Sequence, residues 1–129
     1  MSNSRNLETV QNIYAAFGQG RIPDILDQLA AKVVWIQPSG LPWSGTSNSK
    51  DEVGGFFGKL DKAVAVERFE PRKYFSAEDD VVALGYWSGK SKTTGKAFAS
   101  DWVMTWTFEG GKVTHFQAFM DSAELSKQF

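Results

Sequence analysis

The chain has 129 residues, 42% of them hydrophobic, and its 14 basic and 15 acidic side chains leave a formal net charge of -1. A chain of that length is expected to form one domain that buries roughly two thirds of its unfolded surface, and its balanced, scattered charge argues against nucleic acid or an acidic membrane as the main partner. With no cysteine, disulfides, thiol nucleophiles and thiolate metal sites are excluded.

The opening residues, Met1 to Asn6, are polar and lack the apolar centre of a signal peptide. No run approaches the roughly 20 apolar residues that span a bilayer, so a soluble cytoplasmic protein is expected. Leu7, Val10, Ile13, Tyr14 and Phe17 recur at spacings of three and four, which predicts an amphipathic helix over 6–17 that ends at Gly18 to Gly20. Pro23 fits the first turn of a shorter helix over 23–29, with Ile25, Leu26 and Leu29 as its apolar stripe. Val33, Val34, Trp35 and Ile36 form a β-branched and aromatic run that predicts a strand stopped by Pro38. From 39 to 48 the prolines, glycines and serines predict a loop without regular structure, in which Leu41 and Trp43 fold back over other apolar groups.

Ser49 and Glu52 have capping-box spacing and open a helix over 49–64 whose apolar side carries Val53, Phe56, Phe57, Leu60 and Val64. Gly54, Gly55 and Gly58 weaken it by about 1 kcal/mol each, and their small size suits close approach to another backbone. Residues 65–75 read as extended, with Pro71 marking an edge or a bulge because proline cannot donate to a ladder. A turn at 78–80 leads to a strand over 81–91, and Thr93, Thr94 and Gly95 lead to the next. The segment 97–121 then reads as a hairpin about Gly110 and Gly111, since glycine accepts the positive φ that such a turn needs. At period two, Phe98, Trp102, Met104, Trp106 and Phe108 share one face with Thr114, Phe116, Ala118 and Met120; Asp101, Val103, Thr105, Val113, His115, Gln117 and Phe119 share the other. Neither face is plainly polar, so helices of the chain are expected to cover one and a second subunit the other. Five tryptophans and ten phenylalanines point to an aromatic core or a ligand cavity.

Several segments carry a family resemblance: 10–17, Val33 to Trp35 with Pro38, Phe56 and Phe57, Thr94 to Lys96, and Gly111 to Val113 with the ending Phe119, Met120 and Asp121. Across nearly the whole chain these resemble the SnoaL-like branch of the nuclear transport factor 2-like superfamily, which includes polyketide cyclases, ketosteroid isomerases and limonene epoxide hydrolases as well as proteins without catalysis. The resemblance implies an α+β fold: a cone-shaped, cystatin-like barrel in which a curved antiparallel sheet wraps around three helices and encloses a pocket. It also implies a homodimer through the convex sheet face. On that fold, Trp102, Met104, Trp106, Phe116, Ala118 and Met120 look into the pocket, joined by Phe17, Trp35, Trp43 and Phe57. The isomerases' acidic base and oxyanion groups correspond here to Gln37, to Ile13 with Tyr14 beside it, and to Met104. The polar pairs of the hydrolases and cyclases are replaced by Trp102 and Met104. Only the aspartate that ends the last strand is kept, as Asp121.

Asp121 has two readings. In a desolvated pocket its carboxyl would serve acid–base chemistry; with Glu124 it also has the spacing of a helix cap. Tyr14 can donate a hydrogen bond into the cavity, or sit in the core with its hydroxyl satisfied. His115 is the only histidine, and its parity points it outward, where Asp101 shares its face and is placed to pair either with a base of a second subunit or with His115 across the hairpin. One histidine and no cysteine leave no metal set, and no cofactor is expected. The leading expectation is an acid–base enzyme of isomerase, cyclase or hydrolase type, with Asp121, Tyr14 and Gln37 acting on a small hydrophobic carbonyl or ring compound. The alternative is a non-catalytic module of the same fold that binds a hydrophobic ligand or its own copy.

Overall fold

Helix α1 (Ser2–Gly18) buries Val10, Ile13 and Tyr14 on the face that the spacing predicts, in a computed structural model that describes residues 2–129. Its end is a Schellman turn: Gly20 takes φ 72° while Arg21 N–H donates to Ala16 O at 2.9 Å and Gly20 N–H to Phe17 O at 3.1 Å. Helix α2 (Ile22–Leu26) is shorter than the apolar spacing predicts. Leu29 belongs instead to strand β1 (Leu29–Gln37), where it pairs with Val113. Tertiary pairing has overridden local periodicity here. The loop after β1 inserts Leu41 and Trp43 into the core and is tied by Ser44 Oγ, which accepts from Leu41 N–H at 2.7 Å and donates to Pro38 O at 2.5 Å. Part of the segment expected to be irregular forms a short strand, β2 (Gly45–Ser47), because the free edge of β1 offers it a ladder.

Helix α3 (Lys50–Ala63) starts at the predicted cap, with Glu52 N–H donating to Ser49 Oγ at 3.2 Å. The Glu52 carboxylate reaches back to Asn48 N–H at 2.8 Å. Its three glycines cost about 1 kcal/mol each, whereas burial of Val53, Phe56, Phe57 and Leu60 contributes about 1.5–3 kcal/mol per side chain. Packing therefore holds the helix. The close backbone approach expected at those glycines is not found: a Cβ at Gly54 would meet only Leu26 Cδ1 at 3.7 Å, and at Gly55 or Gly58 it would meet nothing within 4 Å.

Strands β3 (Val64–Ala77), β4 (Asp80–Ser91), β5 (Ala97–Glu109) and β6 (Lys112–Met120) form a meander, and the one-turn helix α4 (Ser122–Ser126) follows. The curved sheet has the order β2-β1-β6-β5-β4-β3, with β3 at the edge as Pro71 predicts. Every pairing is antiparallel except that of β1 with β6, which is parallel and modifies the all-antiparallel expectation. Curvature has a local cause. The β3–β4 register slips between Val66 and Arg68 and again between Pro71 and Lys73, and glycines of β4 lie beside both slips, Gly89 opposite Val66 and Gly85 opposite Pro71. A Cβ on Gly89 would stand 2.2 Å from Ala65 O, so only glycine lets the bulged edge strand come that close.

The β5–β6 hairpin keeps the predicted faces, with one exception. Its register shifts between Thr107, opposite His115, and Phe108, opposite Val113, which leaves Thr114 as an extra residue. The bulge turns Val113 inward, where it is fully buried, although strict alternation places it outside. On the outer face Val103 lies opposite Phe119, which is 47% exposed, and Thr105 opposite Gln117. The pairing considered between Asp101 and His115 does not form, because Asp101 lies opposite Tyr86 while His115 lies opposite Thr107, farther along β5. Among the described residues no helix is long and apolar enough to cross a membrane.

Candidate functional site

The concave side of the sheet and helices α1 and α3 enclose a cavity of about 60 Å³. Each element supplies side chains by its own period. Alternation along β5 turns Trp102, Met104 and Trp106 inward, and β6 adds Phe116 and Met120. Helical spacing brings Ile13, Tyr14 and Phe17 from α1 and Phe56, Phe57 and Leu60 from α3. The rings are tightly set: Trp35 stacks on Phe116 with centroids 3.9 Å apart, and Phe69 stacks on Trp102 at 5.1 Å. Trp102 needs Gly85 beneath it, since a Cβ there would stand 2.2 Å from its Cζ2.

One polar chain crosses this apolar space. Trp106 Nε1–H donates to the Tyr14 hydroxyl at 3.0 Å, and that hydroxyl donates to Met104 Sδ at 3.4 Å. Burial pushes the Tyr14 hydroxyl well above its ordinary 10.0, outweighing the Trp106 N–H, which acts the other way; nearby Tyr74 adds a small upward push. Tyr14 therefore stays protonated and works as a hydrogen-bond donor. Its present acceptor is a thioether, a weak one. Trp35, Trp87 and Trp102 also border the cavity, and each buries an indole N–H with no acceptor among the described residues. The site is rich in donors and poor in acceptors. The buried amide of Gln37, at the end of β1, is the remaining polar group of the lining, and no carboxylate, histidine, lysine or arginine borders the cavity among the described residues.

Of the residues singled out in the sequence, Tyr14, Phe17, Trp35, Gln37, Trp43, Phe57, Trp102, Met104, Trp106, Phe116 and Met120 all border this one space. Two do not. Ala118 is buried opposite Met104, and its single methyl stops short of the space that the longer thioether reaches. Asp121 is exposed and caps α4, accepting from Glu124 N–H through Oδ1 at 3.2 Å. Helix-end donors, rather than a desolvated pocket, surround its carboxylate. Six residues at the cavity were not singled out as site residues: Ile13, Ile25, Phe56, Leu60, Phe69 and Trp87. Trp87 was legible, since Val81, Ala83, Gly85 and Trp87 alternate in phase along β4. Phe69 was masked by the neighbouring proline. No group of three or more histidine, aspartate or glutamate side chains converges as a metal site among the described residues.

This architecture, a curved sheet closing over helices and an apolar interior, is that of the nuclear transport factor 2-like proteins, and the chain belongs within them to the SnoaL-like domain family, which matches residues 10–116. Among solved structures it is similar to an NTF2-like protein of unknown function from Burkholderia pseudomallei K96243, at 29% identity over 96% of each chain with a TM-score of 0.89. An NTF2-like protein from Burkholderia xenovorans LB400 aligns at 27% identity over 99% of this chain and 98% of its own, with a TM-score of 0.90. TerC, co-crystallised with polyporic acid, shares the fold at 24% identity over 96% of this chain and 97% of its own, with a TM-score of 0.86. No curated protein matches the sequence.

Proposed function

We propose that this SnoaL-like domain binds an uncharged, flat hydrophobic carbonyl or ring compound in its aromatic cavity, with Tyr14 donating a hydrogen bond to the ligand's oxygen. The observation that carries the reading is the Tyr14 hydroxyl, buried, protonated and spent on a methionine sulfur. A carbonyl oxygen is a better acceptor and displaces that contact. Indole N–H groups without a partner among the described residues favour the same ligand, because an oxygen acceptor relieves a buried donor while an ammonium or other cation, which has no lone pair to offer, does not. At about 60 Å³ the cavity is well below the roughly 300–1,000 Å³ of small-molecule sites, so a ligand enters by moving the flexible side chains of Met104 and Met120.

The test compares acetylnaphthalene with ethylnaphthalene, read by quenching of tryptophan fluorescence. The ketone is expected to bind roughly fivefold more tightly, the worth of one neutral hydrogen bond, and Tyr14→Phe to erase that difference. Equal binding of the two by the unaltered protein would sink the reading.

Acid–base catalysis of the isomerase, cyclase or hydrolase type is the second reading, favoured by one fact of sequence: Met120 borders the cavity and Asp121 follows it. Released from its cap, the Asp121 carboxylate would be the proton-moving group of this reading, with Gln37 orienting the substrate. An Asp121 carboxyl whose NMR titration is identical with and without acetylnaphthalene would leave that reading unsupported. For assembly, we propose a second copy of the chain against the outer sheet face at Val103, Gln117 and the exposed Phe119. Sedimentation should show a dimer that Phe119→Asp dissociates; a monomer at micromolar concentration would refute it.

A further inference from the structure

A second, larger concavity lies against the first. It is a groove of about 320 Å³ between strand β2 and helix α3, and Trp43 and Phe56 border both spaces. The two side chains form the partition, one from a loop and the other from a helix.

The chemistry differs across that partition. On the cavity side the lining is aromatic and thioether. On the groove side it is Ser44, Thr46, Ser47, Glu52 and Lys59. Ser44 spends its one donor on Pro38 O and accepts from Leu41 N–H, which leaves it only acceptor capacity. Ser47 Oγ donates to Glu52 O at 3.3 Å and still has room to accept, the Thr46 hydroxyl makes no bond among the described residues, and Lys59 makes no ion pair among them. One ammonium and one carboxylate leave the groove without net charge, so it selects hydrogen-bonding groups rather than an ion. Gly55 borders the groove, and a Cβ there would meet nothing within 4 Å. With no side chain at Gly55, this side of the groove stays open, at a cost in helix propensity that Gly58, outside the groove, shares.

Resting on the cavity-binding reading above, we infer that the site is a two-compartment one whose ligand is amphipathic, with a flat ring system in the aromatic cavity and an uncharged hydroxyl-, ether- or amide-bearing tail in the β2–α3 groove. Rotation of Phe56 opens the partition. The aromatic cavity alone is too small for such a ligand, whereas the groove reaches the lower end of the roughly 300–1,000 Å³ of small-molecule sites.

The experiment uses methoxynaphthalene and the naphthyl ether of diethylene glycol, which share a ring and differ in the tail, with tryptophan quenching as the readout. The tailed ether is expected to bind about tenfold more tightly, through one or two added neutral hydrogen bonds and the tail's contact with α3. Gly55→Leu fills the groove and should abolish that gain while leaving methoxynaphthalene binding unchanged. Gly58→Leu, on the same helix with equally open space but outside the groove, should preserve it. Thr46→Val removes a groove hydroxyl without added bulk, and should reduce the gain even if Gly55→Leu fails to fold. Equal affinity of the two ethers for the unaltered protein, or a gain that survives both Gly55→Leu and Thr46→Val, overturns the two-compartment site while leaving the cavity reading intact. Failure of the tailed ether alone to bind overturns the two-compartment site only, and failure of both ethers overturns both readings.

Discussion

Gly85 and Gly55 are the same residue in two regions that treat it oppositely. In the cavity wall, a Cβ on Gly85 would stand 2.2 Å from Trp102 Cζ2 and 2.6 Å from Glu70 O, so the wall leaves no room for a side chain there. At the groove a Cβ on Gly55 would meet open space. The first glycine serves packing: a flat indole lies over a backbone that has no side chain, and strand β3 bulges in behind it. The second serves no contact among the described residues. The cavity wall is thus closely packed at Gly85, and the groove is left unfilled at Gly55.

Gly85→Ala should break the comparison most forcefully. Neither Glu70 O nor the boxed-in Trp102 can yield cheaply, and overpacking costs about 1–3 kcal/mol or more, so the variant is expected at the upper end, about 3 kcal/mol by denaturant unfolding. A loss below about 1 kcal/mol would mean that the wall is softer than its geometry.

Tyr14→Phe comes next. It keeps the ring contacts but orphans Trp106 Nε1–H inside the core, at about 1–3 kcal/mol. It also carries a pH signature. The native hydroxyl loses its proton at higher pH than in the unfolded chain, so this stabilisation is complete below the unfolded value of 10.0 and is lost as pH rises above it. Alkaline unfolding of Tyr14→Phe should therefore fall less steeply above pH 10 than that of the unaltered protein, as measured by circular dichroism.

Gly55→Ala should move the other way, stabilising by about 1 kcal/mol, because alanine is the better helix former and finds no clash. A loss of stability there would erase the contrast with Gly85. The smallest effect is expected for Asp121→Asn, since asparagine is a competent cap: thermal stability should change by only a few tenths of a kcal/mol.

Much of the fold was legible because its signals are local. The Ser49 cap, the stripe Val53, Phe56, Phe57 and Leu60, the glycine turn at 110 and 111 and the alternation through Trp102, Met104 and Trp106 each need only a few neighbouring residues and one period. The misreadings lie where distant segments meet. Leu29 completes a helical stripe in sequence but is claimed by Val113 as a strand partner, and Val113 itself turns inward because a bulge at Thr114 resets the parity. Asp121 has the same identity and the same neighbours under either reading; its place at the first turn of α4, outside the cavity, is a matter of where β6 ends relative to the helices.

The sequence by itself determined that a curved, largely antiparallel sheet would turn one aromatic face toward helices, since period and residue type dictate which side of each element is buried. Only the tertiary structure decided what that burial leaves. The Tyr14 hydroxyl meets Met104 and Trp106 some ninety positions away, three indole N–H groups are closed in without acceptors among the described residues, and Trp43 and Phe56 each border two spaces at once. Such features are differences between packed volumes, and a volume depends on all the elements that surround it at once.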